Sequence, residues 1–554
     1  MIEELTPQVL MMGLLIVVLA APPLAFAIAL LLLSLYRRAV IAAMARPAAT
    51  TAERITIAMP SPPPRPATPP LSDPDLLASL LRARRRVSAR VVLGGLAYAS
   101  TIALALVAAM EHLRSPFDFA LVMWGAIWPV VPALWLTVPA GGRAALGAVL
   151  VYLLPLAAIV TFAFAVPVDT TDAAKLTANM RAGWSPPELI AAWIVLDGMP
   201  TALLLLILNR WTRAVGPLVL AAASLLITGF VAALFLLASA RGFAIFTRLA
   251  ATTKIAPTAL LALASLVVLA LGCGIAWVML GRVRKNYAAK RANDRSITLA
   301  SVWLIFAAFH SMLFALVGPA WVAVGPLAFV VLSWVLRGFP PIAPAMRAAP
   351  PQGLVFLRVF SLGRRTEKLF DALSRDWRHR GSVQLISGPD LARSTVQPHQ
   401  MLDFVSGHLA RHFVADTTSL RRQIECCDRV PDRDGVYRIN SLFCHADTWQ
   451  PALAELVGQG DRVLMDLRSF GRSNAGCTTE LKHLVHRVPL GRCLWVVDDD
   501  TDAEFLAETL RDAWRTMPAD SPNIGTTGAA APLYRFARSW LGTGELLRRL
   551  VAAN

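Results

Sequence analysis

The apolar part of the sequence contains one carboxylate whose surroundings could do chemistry. Asp197 lies in the segment Trp193-Ile-Val-Leu-Asp-Gly-Met-Pro200, beside a glycine and a proline. These residues interrupt membrane helices, and a carboxylate at such an interruption can bind a cation or a proton. His310, in a second apolar run, is its candidate partner. The structural alternative is a protonated Asp197 bonded to a neighbouring helix and a His310 that is satisfied by a backbone carbonyl.

Acidic, thiol and imidazole residues nearer the C-terminus do not favour a metal site. Asp498 to Asp502 include four acids after an apolar run. They could bind Mg²⁺, but a helix N-cap explains them equally well. The cysteines lack the Cys-x-x-Cys type of spacing found in zinc sites, and His408 and His412 stand on an Arg-rich stretch where surface histidines are common. Because the P-loop and Gly-x-Gly-x-x-Gly patterns are both absent as well, we assign no metal ligand and no certain cofactor.

The elements that must position these residues are of two kinds. The 554 residues are 56% hydrophobic and 16% charged, against about 25% charged in soluble proteins. Residues 1–337 hold 26 Lys and Arg with 12 Asp and Glu, whereas residues 338–554 hold 27 and 24. The sequence therefore predicts a membrane region followed by a region of soluble composition. Since most of the net charge of +17 lies in the membrane region, we expect no nucleic-acid partner.

Apolar runs of membrane length occupy most of the first region. A helix needs roughly 20 apolar residues to cross a bilayer core. Nine runs approach this length, at residues 10–36, 91–110, 121–140, 146–166, 189–208, 217–240, 258–280, 297–317 and 320–336. The last two are separated only by a Gly-Pro pair, which permits a helical hairpin or a partly re-entrant segment. The count could therefore be eight or ten.

The distribution of charge predicts the orientation and the division of the chain. Loops on one side carry 19 basic residues and those on the other carry six. The positive-inside rule then places the N-terminus outside and the C-terminal region in the cytoplasm, as in a multi-pass protein of the cell inner membrane whose partner is the lipid bilayer. The predicted parts are a first transmembrane helix (1–44), a Pro-rich and Arg-rich cytoplasmic linker (45–90), a membrane domain of about eight helices (91–337), a linker (338–352), a cytosolic α/β domain (353–520) and a tail with a short basic amphipathic helix (521–554). The tail could pack on its own domain or rest on the membrane surface.

From residue 353 onward, short apolar runs alternate with amphipathic stretches, as is typical of a parallel sheet between helices. The predicted strands cover residues 354–362, 383–387, 436–439, 462–467 and 493–498, and the predicted helices cover 366–378, 400–413, 449–457, 477–486 and 502–517. This order predicts a three-layer, doubly wound α/β domain with an irregular insertion around residues 420–447. Ligands of such folds bind beyond the carboxyl ends of the strands. A site would therefore be built from the loops that begin near Ser361, Gly388, Leu467 and Asp498.

One segment of this domain resembles a known family. The strand at residues 462–467 is followed by an aromatic residue, a serine and a Cys-x-x-Glu-Leu motif that opens a helix, at Phe470, Ser473, Cys477, Glu480 and Leu481. This succession resembles the central strand, loop and helix of Toll/interleukin-1 receptor (TIR) domains. Leu357-Arg-Val-Phe-Ser-Leu-Gly and the amphipathic stretch after it are similar to the first strand and helix of that family. The likeness spans residues 354–517 and implies a flavodoxin/TIR-like fold.

The resemblance also implies a chemistry. In enzymatic TIR domains the glutamate of this motif cleaves the nicotinamide glycosidic bond of NAD, which implies a catalytic role for Glu480. The residues implied to lie against NAD are Ser361, Arg364, Phe470, Ser473 and Cys477. A carboxylate can stabilise an oxocarbenium-like centre, orient sugar hydroxyls or act as base or nucleophile. The helix macrodipole would keep a first-turn carboxylate ionised, although the same preference places acids at helix starts that have no catalytic role.

Three functions follow from these observations. The first is a multi-pass membrane protein that presents a TIR-like cytosolic domain for signalling in stress or defence, with that domain able to form a homo-oligomer. The second is an NAD glycohydrolase effector that uses Glu480. The third is a transporter or channel with a regulatory cytosolic domain and a pathway that contains Asp197.

Overall fold

The chain divides into two compact units. A computed structural model describes residues 7–46, 73–110, 116–137, 142–165, 185–209, 212–340, 352–358, 364–387, 398–445, 447–459, 462–525, 533–536 and 542–552. One unit comprises Met1–Leu33 with Arg85–Pro340, and the other comprises Ser34–Arg84 with Pro341–Asn554. The proline-rich part of the predicted linker, Ser361 and Gly388 lie outside the described residues.

Long apolar helices form the N-terminal part. They are α1 (Pro7–Met44), α2 (Asp73–Ala109), α3 (Pro116–Ala126), α4 (Val130–Thr137), α5 (Gly142–Ala165), α6 (Pro186–Trp193), α7 (Met199–Ile207), α8 (Gly216–Ala238), α9 (Ala240–Thr253), α10 (Pro257–Ala288), α11 (Asp294–Ala315) and α12 (Val324–Gly338). Nine segments of the described chain are long and apolar enough to span a bilayer. The predicted series of membrane-length helices is therefore confirmed in length and composition.

Local capping explains where several of these helices begin. Asn293 accepts a hydrogen bond from the Ser296 amide at 2.8 Å, and the Ser296 hydroxyl accepts one from the Asn293 amide at 2.8 Å, which together start α11. Ser239 accepts from the Gly242 amide at 3.1 Å and starts α9. The residues of α9 fall in a loop of the predicted membrane series, because their apolar residues are too few for a membrane run.

A parallel sheet forms the C-terminal part. Its strands are β1 (Leu354–Arg358), β2 (Val383–Ser387), β3 (Phe413–Val414), β4 (Ile439–Cys444), β5 (Arg462–Asp466), β6 (Cys493–Val497) and β7 (Leu533–Arg535). The helices between and after them are α13 (Arg364–Trp377), α14 (Pro398–Val405), α15 (Thr417–Glu425), α16 (Trp449–Gln459), α17 (Ala475–Arg487), α18 (Ala503–Arg515) and α19 (Gly542–Ala552). The seven strands lie in the order β3-β4-β2-β1-β5-β6-β7, and every pair is parallel.

Alternating side chains of the central strands enter two separate hydrophobic cores. Val355 and Leu357 of β1 lie in a core with α16, α17 and α18. Leu354 and Phe356 lie in a second core with α13 and α19. Successive side chains of a strand point to opposite faces of the sheet. Burial on both faces is why these strands read as continuous apolar runs in the sequence.

The edges of the sheet differ from the sequence expectation. The strand expected at residues 436–439 is found at Ile439–Cys444, inside the segment that was expected to be an irregular insertion. The short edge strands β3 and β7 were not predicted. In the tail, Leu546 and Leu550 of α19 are buried in the core that contains α13, so this helix packs on its own domain.

Candidate functional site

The order in which strands are added to the sheet reverses between β1 and β5. β1 has β2 on one side and β5 on the other, so the connections that follow β1 and β5 run in opposite directions. A change of this kind opens a crevice at the carboxyl ends of the two strands, where α/β proteins bind ligands. Arg358 and Asp466, the last residues of the two strands, are register partners at this point.

Glu480 of α17 lies at this edge, close enough to Arg358 for their charges to interact. The two residues are 3% and 4% exposed. Burial raises the pKa of Glu480 to about 8, and the nearby Arg358 guanidinium lowers it by less than burial raises it. The Oε2 atom of Glu480 has no hydrogen-bond partner among the described residues. At neutral pH the carboxyl is therefore mostly protonated.

This protonation differs from the expectation that the helix dipole keeps Glu480 ionised. Helix α17 begins at Ala475, which places Glu480 in its second turn. The macrodipole acts mainly on the first turn. Removal from water disfavours the charged form of a carboxyl much more strongly, so burial outweighs both the dipole and the arginine.

Asp466 differs from Glu480 because its charge is fully paired. Arg468 donates from Nε to Oδ1 at 2.7 Å and from Nη2 to Oδ2 at 2.8 Å. The Thr366 hydroxyl donates to Oδ2 at 3.2 Å. A two-point guanidinium-carboxylate pair is strong and fixed in geometry. Asp466 therefore ties the end of β5 to Arg468 just after it and to Thr366 in the first turn of α13.

The remaining predicted ligand residues are not all gathered around Glu480. Cys477 is buried, and its thiol donates to the Arg358 carbonyl at 3.4 Å. Phe470 is buried and stacks on Phe505 with ring centres 5.3 Å apart, whereas Ser473 is exposed. Arg364 begins α13, but its side chain, like Ser361, lies outside the described residues.

Arg358 is the residue at this edge that sequence reasoning missed. It was included in the first predicted strand without a role. Its signal was a single charge inside an otherwise apolar run, Leu354-Val-Phe-Leu-Arg-Val-Phe360. Arg472, which could have neutralised Glu480, instead pairs with Glu508 at 3.2 Å.

The acids after β6 form a turn and a cap. Asp498 Oδ1 accepts from the Ser469 amide at 3.0 Å and from the Thr501 hydroxyl at 3.1 Å. Asp502 caps α18 by accepting from the Phe505 amide at 2.9 Å. Within the described part of the chain, no three His, Cys, Asp or Glu side chains are grouped so as to hold a metal ion.

The second unit also includes the end of α1. The rings of Tyr36 and Phe404 meet edge to face at 5.4 Å. His445, just after β4, hydrogen-bonds through Nδ1 to the carbonyl oxygens of Ala43 at 2.9 Å and Arg46 at 3.2 Å. Free carbonyls at a helix C-terminus need such a partner. A side chain of the α/β part therefore caps the first helix.

In the first unit the structure brings Asp197 and His310 together. His310 Nε2 lies 3.5 Å from Asp197 Oδ1, and both side chains are buried. The pair suggested by the sequence is thus a contact between two helical segments.

No protein-family model, curated protein or solved structure matches this chain.

Proposed function

We propose that this chain is a multi-pass protein of the cell inner membrane that presents a doubly wound, flavodoxin/TIR-like α/β domain in the cytoplasm and acts in signalling, of the stress or defence type. The observation that carries the proposal is the buried Glu480 carboxyl beside Arg358 at the carboxyl edge of β1 and β5. A buried carboxyl with one oxygen, Oε2, that has no hydrogen-bond partner among the described residues is costly to maintain beside a guanidinium, and such groups are candidates for ligand binding.

The strand order supports this fold. Without β3 and β4 the sheet runs β2-β1-β5-β6-β7, which is the flavodoxin-like order. The segment from Phe413 to Cys444 adds β3 and β4 beyond β2 and leaves the edge between β1 and β5 unchanged. The TIR-like motif residues Cys477 and Glu480 lie on the helix that follows β5, as the resemblance requires.

The chemistry of the pair favours a nucleotide, with NAD as the leading candidate. A guanidinium binds phosphate oxygens through parallel hydrogen bonds. A protonated carboxyl can both donate and accept, which suits the hydroxyls of a ribose. NAD carries both groups, so Arg358 and Glu480 together match one part of it.

The burial of the pair favours sensing over rapid turnover. Glu480 and Arg358 are almost inaccessible to solvent, so a ligand reaches them only when the groups that cover them move. Binding and a conformational change of the domain are then linked. The contacts of His445 and Phe404 with the end of α1 offer a route by which that change reaches a membrane helix.

A binding measurement on the full chain in lipid nanodiscs tests this function. We expect NAD to bind the wild-type protein and Arg358→Lys to weaken binding about tenfold or more, because lysine keeps the charge but lacks the planar fork. The matched control is Arg472→Lys, which changes an exposed arginine paired with Glu508. No heat of NAD binding to the wild type, or equal affinities in the two variants, would contradict the proposal.

NAD cleavage is the second candidate function, and the position of the Glu480 pKa favours it. A carboxyl with a pKa of about 8 can hold or release a proton near neutral pH, as a general acid or base must. We expect an active enzyme to release nicotinamide from NAD and Glu480→Ala to abolish this release, with Glu508→Ala as the matched control. NAD binding without nicotinamide release, at any degree of clustering, would leave the domain a sensor only.

A further inference from the structure

Three polar side chains from three segments lie in a row inside the membrane part, and this set is called the row below. The Tyr98 hydroxyl of α2 and Nδ1 of His310 on α11 are hydrogen-bonded at 2.8 Å. On the other side of the ring, Nε2 lies 3.5 Å from Asp197 Oδ1. All three side chains are buried. The order is therefore hydroxyl, imidazole, carboxyl, with a hydrogen bond on one side of the imidazole and a 3.5 Å contact on the other.

The helix that carries Asp197 contains a wide π-helical turn and continues through it, so it is not broken at this point. Residues Ile194–Gly198 form a π-helical turn between α6 and α7. Turns of this kind are rare and occur frequently at functional sites. The Thr201 hydroxyl donates to the Asp197 carbonyl at 2.6 Å, and the Trp128 indole donates to that hydroxyl at 2.7 Å. These bonds hold the backbone of the turn and fix the position of the carboxyl.

Helix α12 packs very closely against α11, the helix that carries His310. A side chain at Gly325 of α12 would come within 2.1 Å of the Ala307 carbonyl and 2.2 Å of the Ser311 hydroxyl. Only glycine fits so close an approach. Ala307 and Ser311 lie on either side of His310 in the sequence of α11, so α12 packs closely against the turn of the helix that carries His310.

In the described part of this unit, the helices packed around the row carry few titratable side chains near it. Of the helices packed on α11 and the π turn, α4, α7 and α8 contain no titratable side chain. Glu188 lies in the first turn of α6 and bonds to Ser185, and Arg337 lies in the last turn of α12. Asp294 and Arg295 begin α11, about 23 Å of helix away from His310. On α2, Arg90 bonds to the Pro340 carbonyl two helical turns from Tyr98.

Tyr152 of α5 is a further titratable neighbour of Asp197 among the described residues. Its hydroxyl accepts from the Trp193 indole at 3.0 Å and donates to the Gly125 carbonyl at 3.1 Å. The Tyr152 hydroxyl is therefore bonded to groups that do not belong to the row. A carboxyl and an imidazole that face each other away from water, as Asp197 and His310 do, can share one proton.

We propose that Tyr98, His310 and Asp197 form a proton-binding relay and that the membrane part of this protein passes protons across the bilayer. A hydronium ion on the far side of Tyr98 gives a proton to the hydroxyl oxygen while the hydroxyl proton passes to Nδ1 of His310. The imidazolium then gives its Nε2 proton to the Asp197 carboxylate. The Asp197 carboxyl releases this proton to a water molecule on its own far side, and a turn of the ring restores the starting arrangement. Only O–H and N–H bonds form and break, and no electron is transferred. This inference concerns the membrane helices and does not rest on the function proposed for the α/β domain.

Proton flux into liposomes tests the relay. The full chain is reconstituted with a trapped pH-sensitive dye, and valinomycin with potassium holds the membrane potential while a pH step is applied. We expect flux above that of protein-free vesicles, and Asp197→Asn to reduce it by about tenfold or more, the scale of a lost proton-transfer group. The matched control is Asp118→Asn, a second buried acid in the described part of this unit, which we expect to keep wild-type flux.

Milder variants keep the test decisive if Asp197→Asn does not fold. Tyr98→Phe removes one oxygen atom, and His310→Gln keeps a polar side chain of similar reach. We expect both to lower the flux while size-exclusion profiles and helix content stay unchanged, and Asp197→Glu to restore part of it. Wild-type flux equal to that of empty vesicles, or full flux in the folded Tyr98→Phe and His310→Gln variants, would overturn the proposal.

Discussion

The membrane part and the α/β part each bury a carboxyl next to a basic side chain, and the two pairs behave differently. Asp197 faces His310, whose imidazole can accept and release a proton. Glu480 lies near Arg358, and an arginine side chain offers donors only. The first pair can exchange a proton between its own members. The second pair sets a carboxyl beside a cation that donates and does not accept.

This difference shows that the partner, and not burial alone, determines what a buried acid can do. An acid beside histidine is suited to a relay, because donor and acceptor exchange roles. An acid beside arginine is suited to ligand recognition, because a fixed cation and a carboxyl of adjustable charge offer different groups to a ligand. The nearby Asp466 shows a third outcome, since its two-point pair with Arg468 leaves neither residue available.

Removal of the Asp466 carboxylate should have the largest effect on stability. Asp466→Ala leaves the buried Arg468 guanidinium without its carboxylate partner, and we expect a loss of about 3–5 kcal/mol in the free energy of unfolding. Urea unfolding of the full chain, followed by tryptophan fluorescence, measures it. Asp499→Ala, which breaks an exposed pair with Arg535, should change stability by less than about 1 kcal/mol. Equal effects of the two substitutions would show that Asp466 is not a structural anchor.

The pH dependence of stability should reveal the state of Glu480. Its pKa is raised in the folded protein, so its protonation favours the fold at low pH, and this contribution is lost as the pH rises from the usual glutamate range to about 8. The slope should approach about 1.4 kcal/mol per pH unit in that window. Glu480→Gln, which mimics the protonated carboxyl, should remove the slope, whereas the control Glu508→Gln should keep it. A slope that survives in Glu480→Gln would mean that another group titrates.

Loss of the cap on α1 should have a smaller and local effect. His445→Ala removes the bonds to the Ala43 and Arg46 carbonyls, at a cost of about 1 kcal/mol. Hydrogen exchange of the Ala45 and Arg46 amides should then become about fivefold faster. His412→Ala, which removes a hydrogen bond to Asp403, serves as the control. Unchanged exchange at Ala45 and Arg46 would argue against a coupling of the domain to this helix.

The surface pair of Arg472 and Glu508 should matter least. Both side chains are more than half exposed, and such pairs contribute about 0–1 kcal/mol. Arg472→Ala should therefore alter neither the stability slope nor the affinity for NAD. A marked change in either would mean that Arg472, and not Arg358, is the cation that acts on Glu480.

The central elements of the fold could be predicted from the sequence because burial on both faces leaves an unbroken apolar run. β2 was predicted at the residues where it is found, and β1, β5 and β6 start at the predicted residues. β3 and β7 could not be predicted, because edge strands of two and three residues carry too few side chains to show a period. β4 lies after a polar segment that hides its start, which is why it was placed three residues too early.

The candidate sites could be predicted only in part. Asp197 and His310 stand out as polar residues in apolar runs, but Tyr98 does not, since a tyrosine in a membrane segment is ordinary. The likeness to TIR domains singled out Glu480 and Cys477, whereas the role of Arg358 depends on the pairing of β1 with β5, strands that lie more than 100 residues apart in the chain. Neither the separation of the two strands in the sequence nor the type of residue at position 358 predicts that β1 and β5 pair.

Difference infrared titration of Glu480, with and without NAD, tests the central claim most directly. The full chain in nanodiscs is titrated from pH 5 to pH 9, and the bands absent from Glu480→Gln are assigned to this carboxyl. We predict a protonated carboxyl that ionises with a midpoint near pH 8 and a midpoint that shifts when NAD is present. A carboxyl that is ionised throughout this range, or a midpoint that NAD leaves unchanged, would contradict the assignment of this edge as a nucleotide site.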